Sequence, residues 1–163
     1  MTSVADTKLR EVMRRWPSGV SAVTAAVGGR RTGMTVSCFA CLTLTPPIVM
    51  VSLHKSTETL RFIGKSGRFA VSILRQDQEW ISRQLAMPVP PEGDDRLAGI
   101  PCRKGRIGAP LILGAAAWIE CRVRRTIPLS THVVVIGHVA ACRAGRLGGS
   151  PLVYHDRGYR HLR

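Results

Sequence analysis

The run RTGMTVSCFACLTLTPPIVMVSLHKSTETL, residues 31–60, constrains the fold more than any other stretch. Two extended segments are separated by Pro46-Pro47, and proline cannot donate to a sheet ladder. Thr32 to Leu44 therefore reads as one strand, and Ile48 to Leu53 as a second, strongly apolar and buried one. Short hydroxyl side chains (Thr32, Thr35, Ser37, Thr43, Thr45 and Ser52) sit inside these runs. The second strand passes at once into His54-Lys55-Ser56-Thr57 and then into the helix-like TETLRFIG. A helix starting there aims free backbone N–H groups and its positive dipole end at the polar turn. With Lys55 and two hydroxyls beside it, the turn can cradle a phosphate. The same residues can instead cap an ordinary surface helix, and the local pattern alone favours the cap.

The rest of the chain supplies more strands than helices. Residues 4–16 fit an amphipathic helix with Leu9, Val12, Met13 and Trp16 on one face, Asp6 as N-cap, and Pro17 as its end. Ser18-Gly19 turns into a strand at residues 20–27, which Gly28-Gly29 reverses as a hairpin. Thr57 to Gly64 reads as a short helix closed by Gly64 or Gly67, and Arg68 to Leu74 as a strand. Gln76 to Ala86 reads as a helix with Trp80, Ile81 and Leu85 on its apolar face. Met87 to Asp95 is a proline-rich surface loop, and Arg96 to Gly108 stays mostly irregular. Pro110 to Ile127 is expected as one long strand bent near Gly114, and Thr131 to Cys142 as a second. After a Gly-rich turn at Arg143 to Gly149, Pro151 to Tyr159 gives one or two short terminal strands.

Many strands with short turns imply an antiparallel sheet closed into a barrel. The lack of β-α alternation and of G-x-G-x-x-G argues against a Rossmann fold. At 163 residues, one domain spanning 1–163 is expected.

Composition narrows the function classes. Lys and Arg number 24 against 10 Asp and Glu, for a net +14, which draws anionic partners. The basic residues are scattered, and the few aromatics do not interleave with them, a pattern that argues against a nucleic-acid-binding module. The charge reads mainly as solubility and steering. No apolar run approaches a membrane span, and the N-terminus has no signal-peptide core. Five cysteines, an odd number, suit a reduced, cytoplasmic setting. Cys38 and Cys41 form a lone C-x-x-C without the second pair a zinc site needs, and read as buried, inert thiols. The five histidines show no metal-ligand spacing, so no metal is expected. No catalytic triad, H-E-x-x-H or P-loop is present.

Seven motifs in order resemble the short-chain flavin reductases, the flavin reductase components of two-component monooxygenases. They are RRWPSGVSAVTA, TGMTVSCF with TPPIVMVSL, HKSTETL, SGRFAVSIL, GAPLILGAAAWIECRV, THVVVIGHV and PLVYHDRGYR, over roughly residues 9–160. The resemblance implies a mainly β fold: a six-stranded antiparallel split β-barrel of the FMN-binding, Greek-key type, with two or three peripheral helices, forming a homodimer. It implies transfer of hydride from NADH or NADPH to FMN or FAD, for use by a separate flavin-dependent monooxygenase. By the same resemblance, Thr35, Val36, Ser37 and Cys38 lie along the flavin, where backbone N–H groups meet the ring edge. Ser52 and Leu53 lead into Lys55, Ser56 and Thr57, which hold the phosphate. Ser18, Tyr154 and Tyr159 border the nicotinamide nucleotide, and His132 is the catalytic candidate. Two positions depart from the family pattern: Cys38 stands where the family has a second serine, and Ser130-Thr131 replace an aspartate before His132. These departures keep open a non-catalytic flavin or haem carrier on the same barrel.

Overall fold

The computed structural model describes residues 5–88, 95–145 and 149–162. Most of the expected loop at 87–95, and residues 146–148 of the expected Gly-rich turn, lie outside them. Seven strands form one antiparallel sheet. In spatial order they are β3 (Arg30–Val36), β2 (Ser21–Val27), β6 (Arg68–Ile73), β9 (Ala117–Pro128), β10 (His132–Ala144), β5 (Pro47–His54) and β4 (Phe39–Leu44). Two smaller sheets join β1 (Ser18–Gly19) to β11 (Leu152–His155) and β12 (Gly158–His161), and β7 (Cys102–Lys104) to β8 (Pro110–Ile112). The helices are α1 (Asp6–Met13), α2 (Glu58–Ser66) and α3 (Glu79–Ala86), the last entered through a 3-10 turn at Gln76–Gln78. The fold is thus mainly β with three helices.

The seven-stranded order has a geometric consequence. β3 and β4 end the sheet on opposite sides, yet only Ser37 and Cys38 join them. In a flat sheet the two would lie six strand gaps apart, about 29 Å. The three Cα steps from Val36 to Phe39 reach about 11 Å at most. The sheet must therefore curl until its end strands approach each other. One core lies inside the curl: Val23, Val36, Val49, Val51, Leu53, Phe62, Phe69, Val71, Cys121 and Val135 belong to a single buried cluster. Val49, Val51 and Leu53 alternate along β5, as the period of two requires for an inward face. Fully burying each such side chain contributes roughly 1.5–3 kcal/mol.

The outer face of β2 and β6 is also covered, which is why Ser21 to Ala25 are buried without a break. α3 and the segment from Leu97 to Ile112 build a second cluster there, with Val20, Ala22, Leu74, Ile81, Leu85 and Leu152. Polar side chains pin this arm. Thr24 Oγ1 donates to Pro110 O at 2.5 Å, Gln78 Nε2 to Leu113 O at 2.8 Å, and Trp118 Nε1 to Ile112 O at 2.6 Å. Ser72 Oγ accepts from Ile112 N at 3.2 Å.

Several expectations are corrected. The main sheet has seven strands rather than six. The strand expected over Thr32 to Leu44 breaks at Ser37-Cys38, because its halves pair with β2 and β5 at opposite ends of the sheet. The long strand at 110–127 divides at Gly114 (φ +77°), since β8 pairs with β7 while β9 pairs with β6 and β10. The irregular segment at 96–108 contains β7. Gly67 (φ +64°), not Gly64, closes α2, and Ala5 rather than Asp6 is the N-cap of α1. Trp80 is exposed while Ile81 and Leu85 are buried. Cys38 and Cys41 are exposed rather than buried: Cys38 lies in the joint between β3 and β4, and Cys41 on edge strand β4, whose residues Cys41 to Leu44 are uncovered. None of the α1 residues is buried, so the Leu9, Val12, Met13 and Trp16 side chains stand uncovered.

Two outcomes follow from this packing. Gly137 faces the core, where an added Cβ would meet Phe69 Cζ at 2.6 Å and Cys121 Cβ at 2.8 Å. Gly137→Ala is expected to lower stability by about 1–3 kcal/mol, read as a fall in the urea midpoint; an unchanged midpoint would refute this packing. Burial pushes the Cys121 thiol up to about 12, with Glu120 and Cys142 adding to it. Iodoacetamide at mildly alkaline pH should modify Cys38, Cys41 and Cys142 in the folded protein and spare Cys121 until urea unfolds it, as peptide mass mapping would show.

Candidate active site

β3 presents Arg31, Gly33 and Thr35 to its outer side, by the alternation that sends Val36 into the core. Gly33 lets another segment come close: a Cβ there would lie 3.1 Å from Leu97 Cδ2. Thr35 Oγ1 donates to Ser82 O at 2.7 Å and lays α3 along the strand. The fully buried Ser82 shares a 2.8 Å hydrogen bond with Tyr159 Oη. Tyr159 meets Tyr154 edge-on, with ring centroids 5.4 Å apart, and lies under the Arg83 guanidinium at 5.0 Å. Ser18 stands directly opposite Tyr154 across the β1–β11 ladder.

These contacts border a cavity of about 220 Å³ lined by Thr35, Ser37, Ser82, Ala86, Tyr154 and Tyr159. A second cavity, of about 620 Å³, shares Thr35 and Ala86 with it and continues to Ser56, Thr57, Thr59 and Arg96. Together they make one groove along β3, from the tyrosine pair to the N-terminus of α2.

The α2 end of this groove favours an anion. Thr57 is the N-cap residue but makes no side-chain cap bond; its Oγ1 donates to His54 O at 2.8 Å instead. Ser56 Oγ pairs with His54 Nδ1 at 2.8 Å, and the Ser56 N–H reaches the same nitrogen at 3.2 Å. The simple capping role considered for Ser56 and Thr57 is therefore not the one they fill. Among the described residues the first-turn N–H groups of α2 have no side-chain acceptor, and Glu58 and Thr59 line the cavity beside them. The Glu58 carboxylate is held by Arg61 at 2.8 Å and Arg30 at 3.4 Å. Arg96, anchored to Met87 O and Pro88 O at 2.7 Å each, adds a full positive charge. Open amides, a hydroxyl and a guanidinium are the donor set that a phosphate tail requires.

Of the thirteen residues expected from sequence, six line the groove. Thr35, Ser37, Tyr154 and Tyr159 share one cavity, and Thr35, Ser56 and Thr57 the other. Val36 and Leu53 turn their side chains into the core, which leaves only their backbone for a ligand. Ser52 donates its N–H to Cys38 O at 3.1 Å and so fastens the β3–β4 joint. Cys38 and Lys55 are exposed and line neither cavity. His132 stands opposite His54 in the β5–β10 ladder, with ring centroids 5.2 Å apart, and its Nδ1 pairs with Thr131 Oγ1 at 2.8 Å. It too lines neither cavity, and sits at the Ser56 end rather than beside the tyrosines. Among the described residues no three His, Cys, Asp or Glu side chains cluster as metal ligands would.

Sequence reading missed Thr59, Ser82 and Arg96. Thr59 and Ser82 look like ordinary helix residues, and nothing local ties Arg96 to a turn forty positions earlier. His54 was read only as part of the turn; its bond to the Ser56 amide follows from the reversal itself.

Comparison with known proteins identifies the family. The family described as flavin reductase like domain matches residues 13–163. The reductase component of 4-hydroxyphenylacetate 3-monooxygenase from Thermus thermophilus is 36% identical over 153 residues, covering 94% of each chain. A probable flavin reductase of Rhizobium meliloti is also 36% identical over 93% of this chain, which spans only 47% of that longer protein. The NADH:FAD oxidoreductase SgcE6 of Streptomyces globisporus C-1027, solved with NAD and FAD fragments, superposes with a TM-score of 0.88 at 27% identity, covering 99% of this chain and 98% of its own. The groove along β3 and these likenesses lead to one conclusion: the chain belongs to the flavin reductase family.

Proposed function

We propose that this protein is an NAD(P)H-dependent flavin reductase, passing hydride from NADH or NADPH to FMN or FAD and supplying the reduced flavin to a separate monooxygenase. The observation that carries the reading is the groove, which joins a phosphate-type donor set at α2 to a tyrosine-bordered recess through Thr35. The Thermus relative's role as a reductase component supports the partner, and the fragments bound to SgcE6 support both nucleotides. A bound flavin supplies the hydride acceptor and a reduced nicotinamide the donor. The protein's own part is binding and orientation. The α2 amides, Ser56, Thr57 and Lys55 hold the phosphate, with Arg96 as a further cation. The backbone from Thr35 to Cys38, with that of Ser52 and Leu53 behind it, lines the ring edge. Ser18, Tyr154 and Tyr159 border the nicotinamide end. His132 remains the catalytic candidate on the family resemblance; its Nδ1 pairs with Thr131, and it stands beside His54 at the Ser56 end of the groove.

The finer architecture belongs to the same proposal. The two-residue joint and the shared core support a barrel split between β3 and β4, within one domain spanning 1–163. The uncovered Leu9, Val12, Met13 and Trp16, with Leu42 and Leu44 on edge strand β4, support a homodimer face. Five free thiols support a reducing, cytoplasmic setting, and no described helix is long and apolar enough to cross a membrane.

Two measurements test this. The purified protein should oxidise NADH or NADPH only when FMN or FAD is added, and Lys55→Ala/Ser56→Ala should raise the flavin KM about tenfold with a smaller change in kcat. No oxidation with either flavin would defeat the reading. Light scattering should give a dimer mass for the wild type and a monomer for Trp16→Glu/Leu44→Glu; a monomeric wild type would contradict the dimer.

A further inference from the structure

A third cavity, of about 440 Å³, shares no residue with the groove. It opens between the β2–β3 hairpin, the start of β6 and the β7–β8 arm. Gly28 and Gly29 form its rim, and Arg31, Arg68, Arg103 and Lys104 line it. Four cations around one recess repel each other unless something negative lies between them. The protein supplies little: Arg31 is paired with Asp95 at 2.9 and 3.0 Å, and Arg103 lies over the Trp118 ring at 5.6 Å. Arg68 and Lys104 have no carboxylate partner among the described residues.

The sheet sharpens the imbalance. Arg68 stands directly opposite Arg122 in the β6–β9 ladder. Arg122 likewise has no ion-pair partner among the described residues. Like charges directly across a ladder are destabilising. Arg68 lines the recess, whose size is within the range of small-ligand sites, and an anion bound there would offset this repulsion. Planar guanidinium forks together with a lysine match phosphate oxygens well.

We propose that this cavity is a second anion site, one that takes a compact, multiply charged phosphate compound by its phosphate groups. Cys102 also lines it, half-buried, and so reports on its occupancy.

Inorganic pyrophosphate is the probe. Thermal unfolding would be followed with pyrophosphate against sodium chloride of equal ionic strength, in wild type, Arg68→Ala/Lys104→Ala, Arg124→Ala/Arg125→Ala and Lys55→Ala/Ser56→Ala. The expected result is a rise in midpoint for the wild type and for the last two variants. In Arg68→Ala/Lys104→Ala the apparent affinity should fall at least about tenfold. In the wild type, pyrophosphate should also slow alkylation of Cys102 relative to Cys142, a readout that needs no variant. No midpoint shift beyond the salt control, a shift that Arg68→Ala/Lys104→Ala retains, or unprotected Cys102 would overturn the site. An equal loss in Arg124→Ala/Arg125→Ala would reduce the effect to general surface charge and overturn it as well. Loss of the shift only in Lys55→Ala/Ser56→Ala would assign the anion to the groove, again overturning this site while leaving the flavin reading intact.

Discussion

Two residues, Ser37 and Cys38, join opposite ends of a seven-stranded sheet, and the rest of the structure depends on that short reach. A chain that cannot stretch must bend what it connects. The sheet therefore curls, its inward side chains converge on Phe69 and its neighbours, and β3 comes to lie near β5 and the turn at its end. The Ser52 N–H bond to Cys38 O fastens the joint from the β5 side. Thr35 and Ser56, twenty-one positions apart, line one groove because the curl has brought their strands together.

Outside the sheet, polar side chains place the walls. Thr35, Ser82 and Tyr159 form a chain of hydrogen bonds running from β3 through α3 to the terminal hairpin. Arg31 and Asp95 fix the segment that follows, and Arg96, one residue on, reaches into the groove. The walls are thus anchored to the strand that lines the floor. The open first turn of α2 is a consequence of His54, which engages the hydroxyl and the amide of Ser56 and receives the hydroxyl of Thr57 at its carbonyl.

Much of the fold was legible because period and punctuation are local. The alternation along Ile48 to Leu53, the Gly28-Gly29 hairpin and the helix after Thr57 all emerged near their expected places. The break at Ser37-Cys38 was not legible, since nothing in TGMTVSCFACLTL marks where a strand changes partner. The exposure of Cys38 and Cys41 was missed for the same reason: a joint between strands and an edge position are properties of the whole sheet, not of the local sequence. Thr35, Ser37, Ser56, Thr57, Tyr154 and Tyr159, singled out through ordered motifs, line the groove. Arg96 and Ser82 were not, because their approach to the groove arises only from long-range packing. His132 was singled out as the catalytic candidate; the structure sets it at the start of β10 beside His54, away from the tyrosines.

The most direct test of the account is a crystal structure of the protein grown with FMN. The account predicts the phosphate at the α2 N-terminus, within hydrogen-bond reach of Ser56, with the ring system running along Thr35 to Cys38. A flavin bound on another face of the sheet, or one whose phosphate lies away from the His54–Thr57 turn, would contradict it.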